Sequence, residues 1–196
     1  MPIVITVNQR ASRRNSDRVP EALRLLGQVA TLRRFERTVG DEVQGVLADP
    51  AVAVAVVLDL VRDGEWHVGV GVGPVERPLP RSARAGRGPA FALSRQAVDA
   101  ARKRPQRIAV RGADRDLAAD AEAVLTLLSV IVRRRSAAAW KAVDLMEEGL
   151  TITEAAARLG ITRQAVGQRL ATGLWQQDLA ARPAAARLLA RAAASS

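Results

Sequence analysis

The chain lacks cysteine altogether and contains a single histidine, His67, among its 196 residues. The absence of cysteine excludes disulfide bonds, thiolate catalysis and cysteine-ligated zinc. One histidine excludes a metal site built on clustered histidines, and it excludes a Ser-His-Asp triad anywhere away from His67. Aromatic residues make up only 3% of the chain. Alanine, valine and leucine must therefore build the core around five larger anchors, Trp66, Trp140, Trp175, Phe35 and Phe91.

Long apolar runs are also missing, and none approaches the roughly 20 residues that span a bilayer. The opening MPIVITVNQR lacks the charged region followed by a long apolar one that marks a secretory signal. We therefore expect a cytoplasmic protein with no membrane partner.

Positive charge is in excess, with a formal net charge of +10. Clustered basic residues favour nucleic acid, because they release counterions from phosphates. Only Lys103 and Lys141 are lysines, so 28 of the 30 basic residues are arginine, a bias that a GC-rich coding sequence produces whatever the function. The distribution is more informative: residues 40–74 carry 1 basic and 6 acidic side chains, whereas residues 75–115 carry 11 and 3.

The first half of the chain alternates strand-like and helix-like segments. In residues 66–75 valines alternate with glycines, which is the period of a strand. Pro20 lies where a helix tolerates proline, in its first turn. The predicted elements are strand 3–7, helix 19–30, strands 32–38 and 43–47, helix 51–62, strand 66–75, helix 89–104 and strand 107–110. This order predicts an α+β domain over residues 1–115, with helices on one face of a sheet.

The second half has the helical period throughout. Residues 116–135 predict a long connecting helix, and residues 136–149 predict a second helix that stops at a glycine. The tail from residue 181 predicts an alanine-rich helix that frays. We place the domain boundary near residue 115, or near 135 if the connecting helix belongs to the first domain, and assign residues 136–196 to an all-α domain.

Residues 150–170, LTITEAAARLGITRQAVGQRL, have the pattern of a helix-turn-helix. The segment Thr151–Glu154 is a capping box that begins the first helix. Gly160 can take the positive φ of the turn without a Cβ penalty. The contacts that we expect inside the corner are those of Val166 with Ala155 and Leu159.

The outer face of the second helix is polar and carries no acid between Thr162 and Gln177. Arginine and glutamine can each make two hydrogen bonds to a guanine or an adenine edge in the major groove. An ordinary corner between packed helices needs the same alanine, glycine and valine, but not this polar face. We predict base contacts from Arg163, Gln164 and Gln168 and phosphate contacts from Thr162 and Arg169, with Gly167 on the same face.

This segment resembles the helix-turn-helix of sigma-factor region 4 and of LuxR-type regulators, in which Val166, Arg169 and Leu170 have close parallels. The resemblance implies double-stranded DNA as the partner, and a recognition helix this short favours a homodimer on a two-fold operator. Because the helical half is only weakly basic, we expect a dimer or residues 75–115 to supplement its phosphate contacts.

Four segments of the first half, in order, resemble the SatD family and, behind it, the palm domain of class III nucleotide cyclases. They are residues 7–13 with Asp17 and Arg18, residues 39–44 (VGDEVQ), residues 68–73 (VGVGVG), and residues 86–91 (GRGPAF) with Ala97. The resemblance implies a ferredoxin-like, cyclase-palm-like fold for the first domain.

In the cyclases two carboxylates hold the metals, one at the end of the first strand and one in the Gly-Asp hairpin. The hairpin acid is present here as Asp41, with Glu42 beside it, but Asn8 stands at the first position. The loss of one unit of charge weakens a Mg²⁺ site, so we expect no cyclase activity, no metal and no cofactor. The residues of a candidate pocket for a nucleotide or another small molecule are Asn8, Asp41, Glu42, Gln44 and Arg87.

Three further features of the first half have alternative interpretations. The glycines of residues 69–73 leave one sheet face without side chains, which admits either a ligand or a closely packed helix. The side chains of Arg84, Arg87 and Arg95 can hold an anion or simply face solvent. His67 lies on the glycine-bearing face, where we expect a structural role.

Together these patterns predict a non-enzymatic, DNA-binding transcriptional regulator. Its α+β domain would supply dimerisation and sense a ligand. One alternative is a nucleotide- or metal-binding, cyclase-like protein with a degenerate site. Another is a protein–protein adaptor in which the helical half docks a partner instead of DNA.

Overall fold

A computed structural model of the chain describes residues 1–12 and 16–195. Arg13, which contributes to the resemblance to the SatD family, lies outside these ranges. Within them the chain forms one five-stranded sheet and eight α-helices. The mixed α+β class expected from the sequence is therefore confirmed, while the palm-like and helix-turn-helix assignments stay predictions.

The sheet has the strand order β2-β3-β1-β4-β5. Its strands are β1 (Ile3–Gln9), β2 (Arg33–Arg37), β3 (Glu42–Leu47), β4 (Trp66–Val72) and β5 (Ile108–Arg111). Neighbouring strands are antiparallel except β4 and β5, which run parallel. In the centre of the sheet, Ile5 of β1 lies opposite Gly45 of β3 and Val70 of β4.

The helices are α1 (Val19–Leu25), α2 (Pro50–Asp63), α3 (Pro89–Ala101), α4 (Arg115–Arg134), α5 (Ala137–Glu147), α6 (Ile152–Leu159), α7 (Arg163–Thr172) and α8 (Trp175–Ala194). None of the helices in the described ranges is long and apolar enough to cross a membrane. α1 ends at Leu25 and not at residue 30, because the N–H of Gly27 turns back to the carbonyl of Arg24, three residues earlier.

α8 begins at Trp175, well before the predicted start at residue 181, and it continues through Pro183. Proline has no N–H and normally interrupts a helix. Here buried side chains hold the helix on both sides of the proline, Trp175 and Asp178 before it and Ala185 and Leu189 after it. Tertiary packing therefore overrides the local signal for a break.

One face of the sheet forms the main hydrophobic core with α2, α4 and α8. Ile5 and Val70 are fully buried on this face, together with Leu125 of α4 and Leu189 of α8. Trp175, at the start of α8, belongs instead to a second cluster with α5, α6 and α7. α8 thus joins the two parts of the chain that the sequence places on either side of residue 135.

The opposite face of the sheet, which carries the glycines of β4, is covered by α3. A Cβ added to Gly69 would lie 2.1 Å from the backbone nitrogen of Val98, and one added to Gly71 would lie 2.2 Å from the carbonyl oxygen of Ala90. The packed-helix interpretation of these glycines is therefore confirmed. The expectation of helices on one face only is wrong. The valine side of β4 packs against α2, α4 and α8, and the glycine side has room for the backbone of α3, so helices cover both faces.

These glycine contacts predict opposite effects of alanine at two positions. Gly69→Ala should lower the free energy of unfolding by about 1–3 kcal/mol, because its methyl group collides with the backbone of α3. Gly167→Ala in α7 should raise it by up to about 1 kcal/mol, because alanine favours a helix and an added Cβ there meets nothing within 4 Å. Urea denaturation of both variants measures the two effects, and equal shifts would contradict the packing of α3.

Candidate nucleic-acid interface

The corner between α6 and α7 is defined by two helix caps and a glycine. The Thr151 hydroxyl accepts a hydrogen bond from the N–H of Glu154 at 3.3 Å, and the Glu154 carboxylate accepts one from the N–H of Thr151 at 2.8 Å. Gly160 has a φ of 65°, which glycine adopts without strain. The Thr162 hydroxyl then accepts from the N–H of Ala165 at 3.1 Å. The predicted capping box and turn are present.

A small apolar cluster holds α7 against α5 and α6. Val166 and Ala155 are fully buried in it, and Leu159 and Ile161 are partly buried beside them. The residues expected to meet inside the corner therefore belong to one cluster. α7 uses this side for packing and leaves its other side to solvent.

The residues predicted to contact DNA lie on the solvent side of α7. The exposed ones are Thr162, Arg163, Gln164 and Gln168, and the half-buried ones are Gly167 and Arg169. Above Gly167 the space is open, so the helix backbone itself is accessible there. Gln168 makes one weak hydrogen bond, 3.4 Å to the Thr172 hydroxyl. The structure thus places five of the predicted residues on α7 and Thr162 at its N-cap, and their role stays a prediction.

The acidic residues of the helical part are all engaged elsewhere. Their partners are Arg62 for Asp144, Arg182 for Glu147, Arg158 for Glu148, Thr151 for Glu154, and Arg135 with Arg182 for Asp178. Within the described residues Arg163 and Arg169 form no ion pair. The exposed face of α7 therefore presents positive charge that no neighbouring carboxylate neutralises.

A buried ion pair joins the end of α4 to the start of α8. The Arg135 guanidinium donates to the Asp178 carboxylate at 2.7 Å, with side-chain exposures of 1% and 0%. Arg135 also donates to the carbonyl of Gly173 at 2.8 Å and lies 4.7 Å from the Trp140 ring centroid. Asp178 accepts a second bond from Arg182 at 2.8 Å. These contacts offset part of the cost of removing both charges from water, while Arg135 Nη1 is buried without a hydrogen-bond partner among the described residues.

Arg62, at the end of α2, forms a second link to the helical part. Its guanidinium donates to both carboxylate oxygens of Asp144 in α5, at 2.6 and 2.8 Å, and lies 3.8 Å from the Trp140 ring centroid. The hydrogen bond with Asp144 is the main cause of the raised pKa of Arg62. Trp140 therefore contacts two guanidiniums. Arg62 of α2 and Arg135, which follows α4, connect the helical part to helices that pack on the sheet.

Sequence reasoning did not identify the Arg135–Asp178 pair. Arg135 follows Arg133 and Arg134, and no local pattern separates these three arginines. The available signal was Asp178 itself, which is the single acid between residues 155 and 196. An isolated acid beside Trp175, in an otherwise apolar and basic helix, indicates a specific partner.

Stability should therefore depend on pH in the acid range. Burial by itself would raise the pKa of Asp178, but hydrogen bonds from Arg182 and Arg135 outweigh it and lower that pKa. A lowered carboxyl pKa stabilises the fold above the unfolded value of about 3.9, and this stability is lost as the pH falls through the folded value. We expect urea denaturation to show that loss in the wild type below about pH 4 and to show it reduced in Asp178→Asn.

The same variant should be less stable at neutral pH. It leaves Arg135 buried without a counter-charge, which costs about 3–5 kcal/mol of unfolding free energy. Asp120→Asn, which changes an exposed acid on α4, is the control and should have little effect. Wild-type stability of Asp178→Asn at pH 7 would contradict a structural role for the pair.

Part of the predicted ligand pocket lies under α3. Asn8 is opposite Glu42 in the pairing of β1 and β3, and Gln44 donates to the Thr6 hydroxyl at 2.8 Å. That hydroxyl lies 2.8 Å from the hydroxyl of Ser94 in α3. Among the described residues, Asn8 Oδ1 and Gln44 Oε1 are buried oxygens without a hydrogen-bond donor. The sequence reasoning placed Asn8, Glu42 and Gln44 together, and the structure does the same.

Of the other two pocket residues, Asp41 adjoins this group, because its carbonyl accepts a hydrogen bond from the N–H of Gln9 at 3.3 Å, whereas Arg87 lies apart from it. Asp41 is half-buried in the hairpin between β2 and β3. Arg87 precedes α3 and lines an open concavity of about 440 Å³ with Arg84 and Arg95, whereas Asn8 lies near the other end of that helix. In the part of the chain that is described, no three histidine, aspartate or glutamate side chains are grouped as metal ligands would be.

Comparison with known proteins identifies no relative: no protein-family model, curated protein or solved structure matches the chain. The resemblances to the SatD family and to sigma-factor and LuxR-type helices therefore rest on the residues quoted above. A fold alone does not define a function, so the geometry of the α6–α7 corner is the better guide to what the protein does.

Proposed function

We propose that this protein is a sequence-specific DNA-binding transcriptional regulator in which α7 enters the major groove. The observation that carries the proposal is the exposed face of α7, where arginine and glutamine side chains stand without acidic neighbours. The dimensions support it, since an α-helix with its side chains is about 10–12 Å across and the groove is about 12 Å wide.

Each residue on that face has a chemical role in the proposal. Arg163, Gln164 and Gln168 contact base edges: arginine can donate two hydrogen bonds to guanine, and glutamine can donate one to adenine and accept one from it. Thr162 and Arg169 contact phosphates, because Thr162 caps the positive end of the α7 dipole. Gly167 allows the backbone to approach the DNA closely, since it has no side chain on the exposed face.

The attachment of α7 to the rest of the protein supports a reading role. The α6–α7 corner is packed on α5, and α5 is held to the sheet through Arg62 and Trp140. A recognition helix must be held within a fraction of an ångström to discriminate bases. Two separate ion pairs and one apolar cluster provide that support.

A homodimer completes the proposal. A helix as short as α7 reads few base pairs, so two copies on a two-fold operator supply the needed affinity. The sheet-containing part of the chain supplies the dimer contact in this scheme, and it is also the part that senses a ligand.

In vitro selection of DNA by the purified protein tests the reading role. Arg163→Ala and Gln168→Ala should each lose about 1–3 kcal/mol of discrimination between the selected duplex and a scrambled one, while the fold persists. Arg187→Ala and Gln177→Ala remove the same residue types from exposed positions on α8 and should retain it. Equal discrimination by all four variants would reject the assignment of α7.

A ligand site in the sheet is a second candidate function, favoured by the two buried oxygens without donors, Asn8 Oδ1 and Gln44 Oε1. Calorimetric titration with ATP or GTP in the presence of Mg²⁺ tests it. Binding heat that is lost in Asp41→Asn and Glu42→Gln would support this function. Heat that persists in both variants would place the ligand elsewhere, and no heat with the wild type would reject nucleotide binding.

A further inference from the structure

Four arginines meet at the end of the sheet where β1 stops and β4 begins. We call Arg10, Arg102, Arg107 and Arg133 the arginine cluster. The N–H of Arg10 donates to the carbonyl of Glu65 at 2.7 Å, and the Arg107 guanidinium donates to the neighbouring carbonyl of Gly64 at 2.7 Å. Arg133 donates to the carbonyl of Pro105 at 2.9 Å. Arg102 caps the end of α3, close enough to His67 to lower its pKa.

The cluster lacks the carboxylate partners that other arginines of this protein have. Within the described residues, Arg10, Arg107 and Arg133 form no ion pair, and Arg102 reaches only the exposed Asp99, at 3.8 Å. Arg107 and Arg133 are anchored by backbone carbonyls, which use one nitrogen of each guanidinium. The remaining N–H groups are held in place and stay available to an external acceptor.

Like charges in the cluster act on one another. Burial is the main cause of the lowered pKa of Arg107, followed by the charges of Arg10 and Arg133, while Glu65 opposes them. Burial and three cluster arginines also lower the pKa of His67. A polyanion would relieve the repulsion, because it brings negative charge to a place where the protein has little of its own.

The cluster lies at the end of the sheet that carries the helical part. Arg133 is two residues before Arg135, whose ion pair with Asp178 starts α8. Gly64, which holds Arg107, is two residues after Arg62, which binds Asp144 of α5. The helical part itself is weakly basic, with 7 basic and 5 acidic residues over 136–196. The arginine cluster therefore adds positive charge close to these two ion pairs, and Arg135 also donates to the carbonyl of Gly173, at the end of α7.

We propose that the arginine cluster binds the phosphate backbone of the DNA beside the site that α7 reads. The choice of DNA as the polyanion rests on the proposed function. Each phosphate neutralised releases counterions and changes the slope of log Kd against log salt by about 0.9. Contacts of this kind position the protein on the duplex and carry no sequence information, so the cluster contributes to affinity and α7 to discrimination.

A second group of arginines provides a matched control. Arg24, Arg34 and Arg187 are exposed on α1, β2 and α8, and within the described residues they form no ion pair. Arg34 lies on β2, the edge strand on the opposite side of the sheet from β5, which Arg107 directly precedes. Removing three arginines from either group changes the net charge by the same amount.

The test compares Arg10→Gln/Arg102→Gln/Arg133→Gln with Arg24→Gln/Arg34→Gln/Arg187→Gln. Fluorescence anisotropy measures binding to the selected and the scrambled duplex over a NaCl series. The cluster variant should bind both duplexes more weakly, by the same factor. It should also reduce the slope of log Kd against log salt by up to about 2.7, for three lost contacts. Each single substitution should reduce it by about 0.9, which keeps the test valid if the triple variant is unstable. The control variant should retain a nearly wild-type slope.

The outcomes separate this proposal from the proposed function. An unchanged slope in the cluster variant, with a wild type that prefers its selected duplex, overturns the cluster and leaves the regulator standing. A reduced slope with a wild type that prefers neither duplex overturns sequence reading and leaves the cluster as a phosphate-binding surface. Equal slope losses in both triple variants overturn a specific role of the cluster. The cluster proposal also fails if the cluster variant loses sedimentation with phosphatidylserine vesicles but binds DNA like the wild type. Binding to neither duplex overturns both proposals.

Discussion

The ion pair of Arg135 with Asp178 determines how helices α5–α8 are oriented relative to the sheet. Both groups are removed from water, and the desolvation free energy of either charge would destabilise the fold if that charge were buried without its partner. Each is therefore surrounded: Arg135 by the carbonyl of Gly173 and the ring of Trp140, and Asp178 by a second guanidinium from Arg182. Other arrangements of α4 and α8 would leave one of the charges buried without its partner. The pair thus selects one arrangement, and α7 inherits its position from it.

The sheet contributes to the same arrangement through its two faces. Ile3, Ile5 and Val7 of β1 and the valines of β4 face α2, α4 and α8, and this packing draws the second half of α8 into the main core. The glycines of β4 face α3, whose backbone approaches them within contact distance. α3 in turn brings Arg102 to the sheet end where Arg10 and Arg107 lie. The surface proposed to bind phosphate is therefore a product of how both faces are covered.

Local chemistry made some features predictable and left others open. The capping box at Thr151 and the turn at Gly160 are present, because both depend on residues a few positions apart. The glycine strip of β4 left a ligand and a helix as alternatives, since a bare face does not identify what covers it. The alanine-rich tail predicted a helix only from residue 181, whereas α8 begins at Trp175, because its first turns are held by buried contacts that leave no local sign. The candidate pocket was divided because Arg87 and Asn8 are related only through the path of α3.

The sequence by itself determined the period of each strand and helix, the caps, and the polar composition of the face of α7, because each of these depends on neighbours within one or two turns. Only the tertiary structure decided which arginines are buried in ion pairs and which are exposed. Arg133 and Arg135 are two positions apart in the same run, yet one is exposed and the other is buried against Asp178. The physical reason is that the free energy of a charged side chain depends on its solvent exposure and on nearby partners. The partners that distinguish these two arginines come from distant segments of the chain.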